Sequence, residues 1–285
     1  MPSKLHNAIE SALGSPPQTI VPLSGGCVAE VYKVRLADKS TVVAKVDHSH
    51  PARLVQEAAM LNYLAKHSLL PVPAVLHCSE EILLIEFLEG DSHFSDAAQR
   101  HAAELLADLH GITSTHFGFG HDTLIGGLQQ PNPQTKSWLQ FFRDHRLLYM
   151  AGEAMSAGRM PQQMLERIQK FSEKITTWLE EPKQPSLIHG DAWTTNILAK
   201  GGCITGFIDP AVYYGDPEIE LAFTTLFGTF GAAFFQRYNE IRPIQAGFME
   251  ERKDIYNLYP LLVHVRLFGG SYLQSVDKVL SRLGC

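Results

Sequence analysis

Apolar positions change their spacing several times along the chain, and each change predicts an element. At the start, Leu5, Ile9, Ala12 and Leu13 recur every three or four residues, the pattern of a short amphipathic helix that Gly14, Pro16 and Pro17 stop. From Ile20 the period falls to two. Ile20–Leu36 reads as two strands joined by the turn Ser24-Gly25-Gly26, and Thr41–Val46 as a third strand after Asp38-Lys39-Ser40. Arg53–Lys66 returns to helical spacing, with Leu54, Ala58, Leu61 and Leu64 on one face. Val72–His77 and Glu81–Gly90 then read as a hairpin completing a five-stranded antiparallel sheet. Gly90-Asp91-Ser92 breaks the pattern. The predicted organisation is α+β and bilobal: residues 1–90 a small sheet lobe with one main helix, and residues 91–285 a larger, mostly helical lobe.

Past that boundary, Asp96 reads as the N-cap of a helix running to His110. Phe117 to Pro133 reads as a long loop rich in glycine and proline, and loops of that size in compact enzymes are often functional. Helices are predicted over 137–157 and 161–179, with Trp138, Phe141, Phe142, Leu147 and Leu148 as core. Asp216-Pro217-Glu218, an acidic cap with proline in the first turn, opens a helix through Leu226. Helices over 234–241 and 251–283 complete the lobe, the last interrupted by Gly269-Gly270.

Composition narrows the classes of function. The 285 residues suffice for a large core, and 45% hydrophobic with 19% charged residues is ordinary for a soluble protein. A net charge of −6 and the absence of a basic run argue against nucleic acid as partner. No stretch approaches the about 20 apolar residues of a membrane span, and the first residues hold no apolar core of signal-peptide length, so the expectation is a cytoplasmic protein without a membrane partner. The 4 cysteines form no CxxC pair, which indicates neither a zinc knuckle nor a disulfide framework.

Candidate chemistry concentrates between Leu187 and Pro210. Asp191 is followed five positions later by Asn196, in a polar turn between two strand-like runs, and a further strand delivers Asp209. Phosphoryl transfer needs one carboxylate at the acceptor hydroxyl and oxygen ligands for magnesium, and this order and spacing supply both. Asp191 is therefore the candidate base, with Asn196 and Asp209 as candidate magnesium ligands. Lys45 on the third strand is placed to meet ATP phosphates, and Glu57, twelve residues on, to pair with it. Gly25 and Gly26 can bring backbone N–H groups close to phosphates. Backbone groups of Glu86, Phe87 and Leu88 are the candidates for an adenine edge. Bland readings stand beside these: Lys45 on a solvated strand face, a solvated helical Glu57, a plain turn at Gly25-Gly26, and Trp193 either stacking on a substrate or lying in the core under the loop. His189 braces the loop by hydrogen bonds, or else His189 and Asp191 belong to a transition-metal site.

At these residues the chain resembles a known family. His189-Gly190-Asp191 resembles the aminoglycoside phosphotransferase and choline kinase group of protein-kinase-like folds. The longer stretch to Asn196, the run Ile208-Asp209-Pro210-Ala211-Val212-Tyr213-Tyr214-Gly215-Asp216, the closing Leu261–Tyr272 and the early Gly25-Gly26-Cys27 resemble the fructosamine kinase (ketosamine-3-kinase) family nearly end to end. The resemblance implies a kinase using ATP and Mg2+ to phosphorylate the 3-hydroxyl of fructosamines or ribulosamines, whose unstable 3-phosphate then releases the amine. It implies small sugar-amine substrates, with glycated lysines on proteins as a further class, and a monomer or weak dimer in which oxidation of Cys27 can link chains. Residue by residue it makes Asp191 the base, Asn196 and Asp209 the magnesium ligands and Lys45 the phosphate ligand. It sets Trp193 and His264 in the sugar pocket. The chain departs from the family pattern at Ala192 (more often Leu), Thr194-Thr195 (Ser-Gly), Pro217 (Arg) and Glu220 (Asp). Ala192 and Thr194-Thr195 lie beside the acceptor site and bear on which acceptor is used, whereas Pro217 and Glu220 concern helix anchoring. Related kinases of the aminoglycoside, choline or homoserine type and a catalytically silent nucleotide-binding module are the alternatives.

Overall fold

The computed structural model describes residues 2–23, 29–48, 50 and 52–285. The first elements are α1 (Pro2–Leu13), β1 (Pro17–Pro22), β2 (Glu30–Leu36), β3 (Thr41–Val46), α2 (Ala52–His67), β4 (Val75–Cys78) and β5 (Leu83–Glu86). The five strands make one antiparallel sheet in the order β1-β2-β3-β5-β4. Strand alternation sorts the side chains between the two faces. Val42, Ala44, Val46, Ile82 and Leu84 pack with Ile9 of α1, while Val43, Leu83 and Ile85 pack with Leu54, Ala58 and Leu61 of α2. Each large aliphatic side chain fully buried in this way contributes about 1.5–3 kcal/mol relative to exposure. Lys45 lies two residues beyond Val43, so the same alternation directs it to the α2 face. The turn containing Gly25, Gly26 and Cys27 lies outside the described residues.

After residue 90 helices dominate. In order come α3 (Asp96–His110), β6 (Thr123–Ile125), β7 (Leu128–Gln130), α4 (Trp138–Phe142), a π-helical segment Arg143–Leu148, α5 (Tyr149–Ser156) and α6 (Gln162–Glu173). Then follow β8 (Ser186–Ile188), β9 (Ile197–Lys200), β10 (Cys203–Phe207), β11 (Tyr213–Gly215), α7 (Pro217–Leu226), α8 (Ala232–Ile241), α9 (Lys253–Phe268) and α10 (Ser271–Arg282). α9 is the axis of this half. Every residue from Ile255 to Val265 is buried, including Pro260 inside the helix, so it is enclosed on all sides rather than amphipathic. It packs on α5, α7 and α10, and Trp138 reaches it through a 3.0 Å hydrogen bond from Nε1 to the Tyr256 hydroxyl.

Four sequence expectations change here. The cap of α3 is Ser95, whose Oγ accepts from the Ala98 N–H at 3.3 Å, and Asp96 falls in the first turn instead. The expected loop 117–133 contains the β6–β7 hairpin, which turns on Gly126 (φ 52°) and Gly127 (φ 76°). The expected helix 137–157 is broken by the π-helical segment, which sets Arg146 fully inside the core with its guanidinium over the rings of Phe141, Tyr213 and Tyr259. The helix expected over 161–179 is α-helical only to Glu173 and continues as a 3-10 turn, Ile175–Thr177. Among the described residues no helix is long and apolar enough to cross a membrane, and Cys78, Cys203 and Cys285 are free thiols.

Two small sheets present the central loops. β8 pairs with β11, and β9 pairs with β10, all antiparallel. The segment from His189 to Asn196 therefore spans from one pair to the other, and 208–212 crosses back beside it.

Candidate active site

Gly190 fixes how closely those two segments approach. Its φ is 84°, and a Cβ there would stand 2.1 Å from the Ala211 carbonyl oxygen, so no other residue fits without displacing backbone. The Ala211 N–H donates to the His189 carbonyl at 2.7 Å. Behind the loop, the buried Glu220 carboxylate accepts from the Gly190 N–H at 2.7 Å and from the His189 N–H at 3.2 Å, and it pairs with His110 Nε2 at 2.9 Å. The other His110 nitrogen meets the Tyr238 hydroxyl at 2.7 Å. His189 does brace the loop, its Nδ1 accepting from the Asp191 N–H at 3.3 Å. Among the described residues no group of three or more His, Cys, Asp and Glu side chains is placed to hold a metal ion, so the transition-metal alternative finds no partners here.

Held this way, Asp191 faces a cavity of about 330 Å³ that Lys45, Glu57, Asn196 and Asp209 also line. Asn196 donates from Nδ2 to Asp191 Oδ2 at 2.9 Å and to the Asp191 carbonyl at 3.0 Å. Its nitrogen is thereby committed to Asp191, while its Oδ1 accepts from Thr195 Oγ1 at 3.3 Å. Asp209 adopts φ 53°, a left-handed conformation rare outside glycine, which turns its carboxylate toward Lys45. Lys45 Nζ makes ion pairs with both Glu57 Oε1, at 2.6 Å, and Asp209 Oδ1. The lysine thus joins the sheet, α2 and the β10–β11 segment in one contact. Burial alone would lower the Lys45 pKa, but the Asp209 and Glu57 carboxylates outweigh it and raise it, so the ammonium stays charged. Burial raises the Asp191 pKa well above the usual carboxylate range, and the nearby Asp209 charge adds to the shift.

The other end of the cavity is aromatic. Trp193 is half-buried rather than sunk in the core. It lies parallel to Phe223 with centroids 6.4 Å apart, and edge-on to His264 at 5.9 Å. His264 contacts Tyr272 at 4.8 Å and Phe268 at 5.8 Å. Its Nδ1 bonds the Pro260 carbonyl at 2.8 Å, which requires Nδ1 to carry the proton and leaves Nε2 an acceptor. Burial lowers its pKa, so the ring is neutral. The Gly126-Gly127 hairpin tip and Met60 of α2 close the cavity.

The structure thus brings together Lys45, Glu57, Asp191, Trp193, Asn196, Asp209 and His264. Gly25 and Gly26 lie outside the described residues. Glu86, Phe87 and Leu88 are not among the residues lining the cavity. The Glu86 N–H donates to the Ala74 carbonyl at 2.9 Å, Phe87 lies under Lys33 Nζ at 3.9 Å, and Leu88 packs against Gly206. Sequence reading missed Phe268 and Tyr272, although both follow His264 at helical intervals. It also missed the Gly126-Gly127 tip, although a glycine pair between two apolar runs is a hairpin signal.

The donor set fits what phosphoryl transfer from a metal-bound nucleotide requires. An Asp carboxylate and an Asn amide oxygen are hard oxygen ligands suited to magnesium, and a charged lysine beside them suits phosphate.

A sequence model of the family described as fructosamine kinase matches residues 1–284. A protein of Synechocystis sp. named probable ketoamine kinase is 36% identical over 268 residues, covering 91% of this chain and 88% of that protein. The rice (Oryza sativa subsp. japonica) chloroplastic protein named protein-ribulosamine 3-kinase is 30% identical over 269 residues, covering 90% and 76%. The crystal structure of a fructosamine-3-kinase candidate from Thermobifida fusca superposes with a TM-score of 0.86 at 26% identity, covering 99% of each chain.

Proposed function

The chain belongs to the fructosamine kinase family, and on that premise we propose that it transfers the γ-phosphoryl group of ATP to the 3-hydroxyl of a ketosamine, a fructosamine or ribulosamine. The observation that carries this reading is the convergence of Lys45, Glu57, Asp191, Asn196 and Asp209 on one cavity whose far wall is aromatic. When bound, ATP supplies the phosphoryl group and magnesium neutralises its charge. Asn196 Oδ1 and Asp209 would hold the metal, and Lys45, oriented by Glu57, would hold the phosphates. Asp191, held toward the cavity by the hydrogen bond from Asn196 Nδ2, accepts the proton of the acceptor hydroxyl late in transfer. Trp193 and His264 offer a ring face and a neutral acceptor nitrogen to a molecule that is part sugar and part amine. In this reading Glu86 to Leu88 meet the adenine edge, and the lobes divide after residue 90.

The test is an assay with Mg-ATP that follows ADP and free amine together on ribulosamines, fructosamines, choline, homoserine and an aminoglycoside. Phosphorylation at the 3-hydroxyl predicts ADP formation followed by release of the amine. Turnover of choline, homoserine or the aminoglycoside without turnover of any ketosamine would replace the acceptor. Nucleotide binding with no transfer to any of them would make the chain a binding module.

A further inference from the structure

Behind the cavity, the fully buried Gln130 of β7 makes three hydrogen bonds to three different parts of the protein. Its Nε2 donates to the Ala211 carbonyl at 3.0 Å and to Thr123 Oγ1 at 2.8 Å, and its Oε1 accepts from the Tyr259 hydroxyl at 2.7 Å. A backbone carbonyl can only accept, so the orientation of the amide is fixed, and Tyr259 must then be the donor. Further back, Asn132 Nδ2 donates to the same Thr123 oxygen at 2.7 Å, and Arg146 donates to Asn132 Oδ1 at 2.6 Å.

Each partner of Gln130 belongs to a different wall of the site. Thr123 begins the hairpin whose Gly126-Gly127 tip lines the cavity, and a Cβ on Gly126 would come within 3.0 Å of Leu267 on α9. Tyr259 lies on α9, just over one turn before His264. Ala211 follows Asp209-Pro210 and is the residue whose carbonyl presses on Gly190, beside the base. A single amide therefore sets the separation between the acceptor walls and the loop that carries Asp191.

We propose that Gln130 is a positioning residue for phosphoryl transfer, clamping the hairpin and α9 walls of the acceptor pocket to the Ala211 carbonyl and, through it, to the Gly190-Asp191 turn. The proposal rests on the kinase reading above and adds to it a residue that does not touch the reacting atoms.

Gln130→Leu removes all three bonds, and Gln130→Glu keeps the acceptor for Tyr259 while setting a carboxylate oxygen against the Ala211 carbonyl. Small displacements of reacting groups cost about 100-fold, so kcat/KM for the acceptor should fall by about 10- to 100-fold in both variants, with kcat falling and acceptor KM rising. The Kd for ADP, read by calorimetry, should stay within about threefold, because the nucleotide side of the cavity is built by other contacts. Phe171→Leu, a buried change in α6, is the control for lost stability alone. If the Gln130 variants lower Tm as Phe171→Leu does and keep wild-type kcat and KM, the proposal is overturned. Should they fail to fold, Tyr259→Phe deletes one of the three Gln130 bonds and Thr123→Val deletes another together with the bond from Asn132, and an unchanged kcat/KM in both would overturn it equally. The unaltered protein is assayed first. If it phosphorylates no ketosamine, the acceptor assignment fails, and the Gln130 comparison is then read on whichever acceptor it does phosphorylate, or on ADP release to water.

Discussion

The two ends of the cavity are built by different physics. At one end Lys45, Glu57, Asp209, Asp191 and Asn196 hold one another by ion pairs and hydrogen bonds, and Lys45 draws groups from the sheet, α2 and the β10–β11 segment together. At the other end Trp193, Phe223, His264, Phe268 and Tyr272 meet through ring contacts. None of these five carries a charge, since burial keeps His264 neutral. Charges fixed in place suit a highly charged donor whose phosphates need neutralising. Rings suit an acceptor with apolar sugar faces and an amine, which charged walls would desolvate at a cost. Substitutions should therefore separate cleanly, with the polar end changing turnover and nucleotide affinity and the aromatic end changing acceptor affinity.

Asp191→Asn gives the largest expected effect. It keeps the shape and the Asn196 contact but cannot take the acceptor proton, so kcat should fall by about 10²–10⁴-fold while ADP affinity holds. Near-normal turnover in that variant would break the assignment of the polar end. Glu57→Gln is next. It removes the charge opposite Lys45 Nζ, a charge-assisted contact of the kind whose loss costs about 1.5–3 kcal/mol, or about 10- to 100-fold, and the loss should appear in KM for ATP rather than for the acceptor. A steady-state matrix varying both substrates reads the two constants separately.

The polar end was legible in the sequence and the aromatic end only in part, for a physical reason. Asp191, Asn196 and Asp209 lie on one stretch spanning 18 positions, and Lys45 and Glu57 follow from alternation on β3 and the first turns of α2, so local order carries the arrangement. Trp193, Phe223, His264 and Tyr272 come from four separate segments, and only tertiary packing brings their rings together. The fold divides likewise. The five strands and α2 were readable from their periods, whereas the π-helical segment at Arg143–Leu148 was not, because its register is set by burying Arg146 among rings distant in sequence. The β6–β7 hairpin had a signal in Gly126-Gly127, but its three-residue strands are too short for alternation to stand out. Glu220 shows a further limit. The sequence marks it as an acid near a helix start, but its hold on the Gly190 N–H appears only once α7 packs behind the loop.

Trp193→Ala tests the aromatic end directly. Stacking on a sugar face or an amine is worth about 1–2 kcal/mol, so acceptor KM should rise by about 5- to 30-fold with the KM for ATP unchanged. Trp193→Phe should recover most of that loss. Equal losses on both substrates would show that the loop, rather than the ring, had been disturbed, and the separation between the two ends would fail.

The smallest effect concerns His264 and asks whether the aromatic end stays uncharged. Burial holds its pKa in the folded protein below the ordinary 6.5, so between that value and its folded pKa the unfolded chain binds the proton more readily. The stability tied to the neutral ring is therefore fully present above pH 6.5 and is lost progressively as pH falls toward the folded pKa. His264→Gln should have a smaller drop in Tm between pH 7.5 and pH 5.5 than the unaltered protein, by about 1–2 °C for a chain of this size. The ring itself, followed by NMR, should titrate with a midpoint below 6.5. A midpoint above it would mean that the ring attracts a proton, and a cationic wall would then face the amine of the proposed acceptor. The ring cluster around Trp193 would in that case be a second charged end of the cavity, opposite in sign to the Asp191 and Asp209 carboxylates, and the contrast between the two ends would collapse.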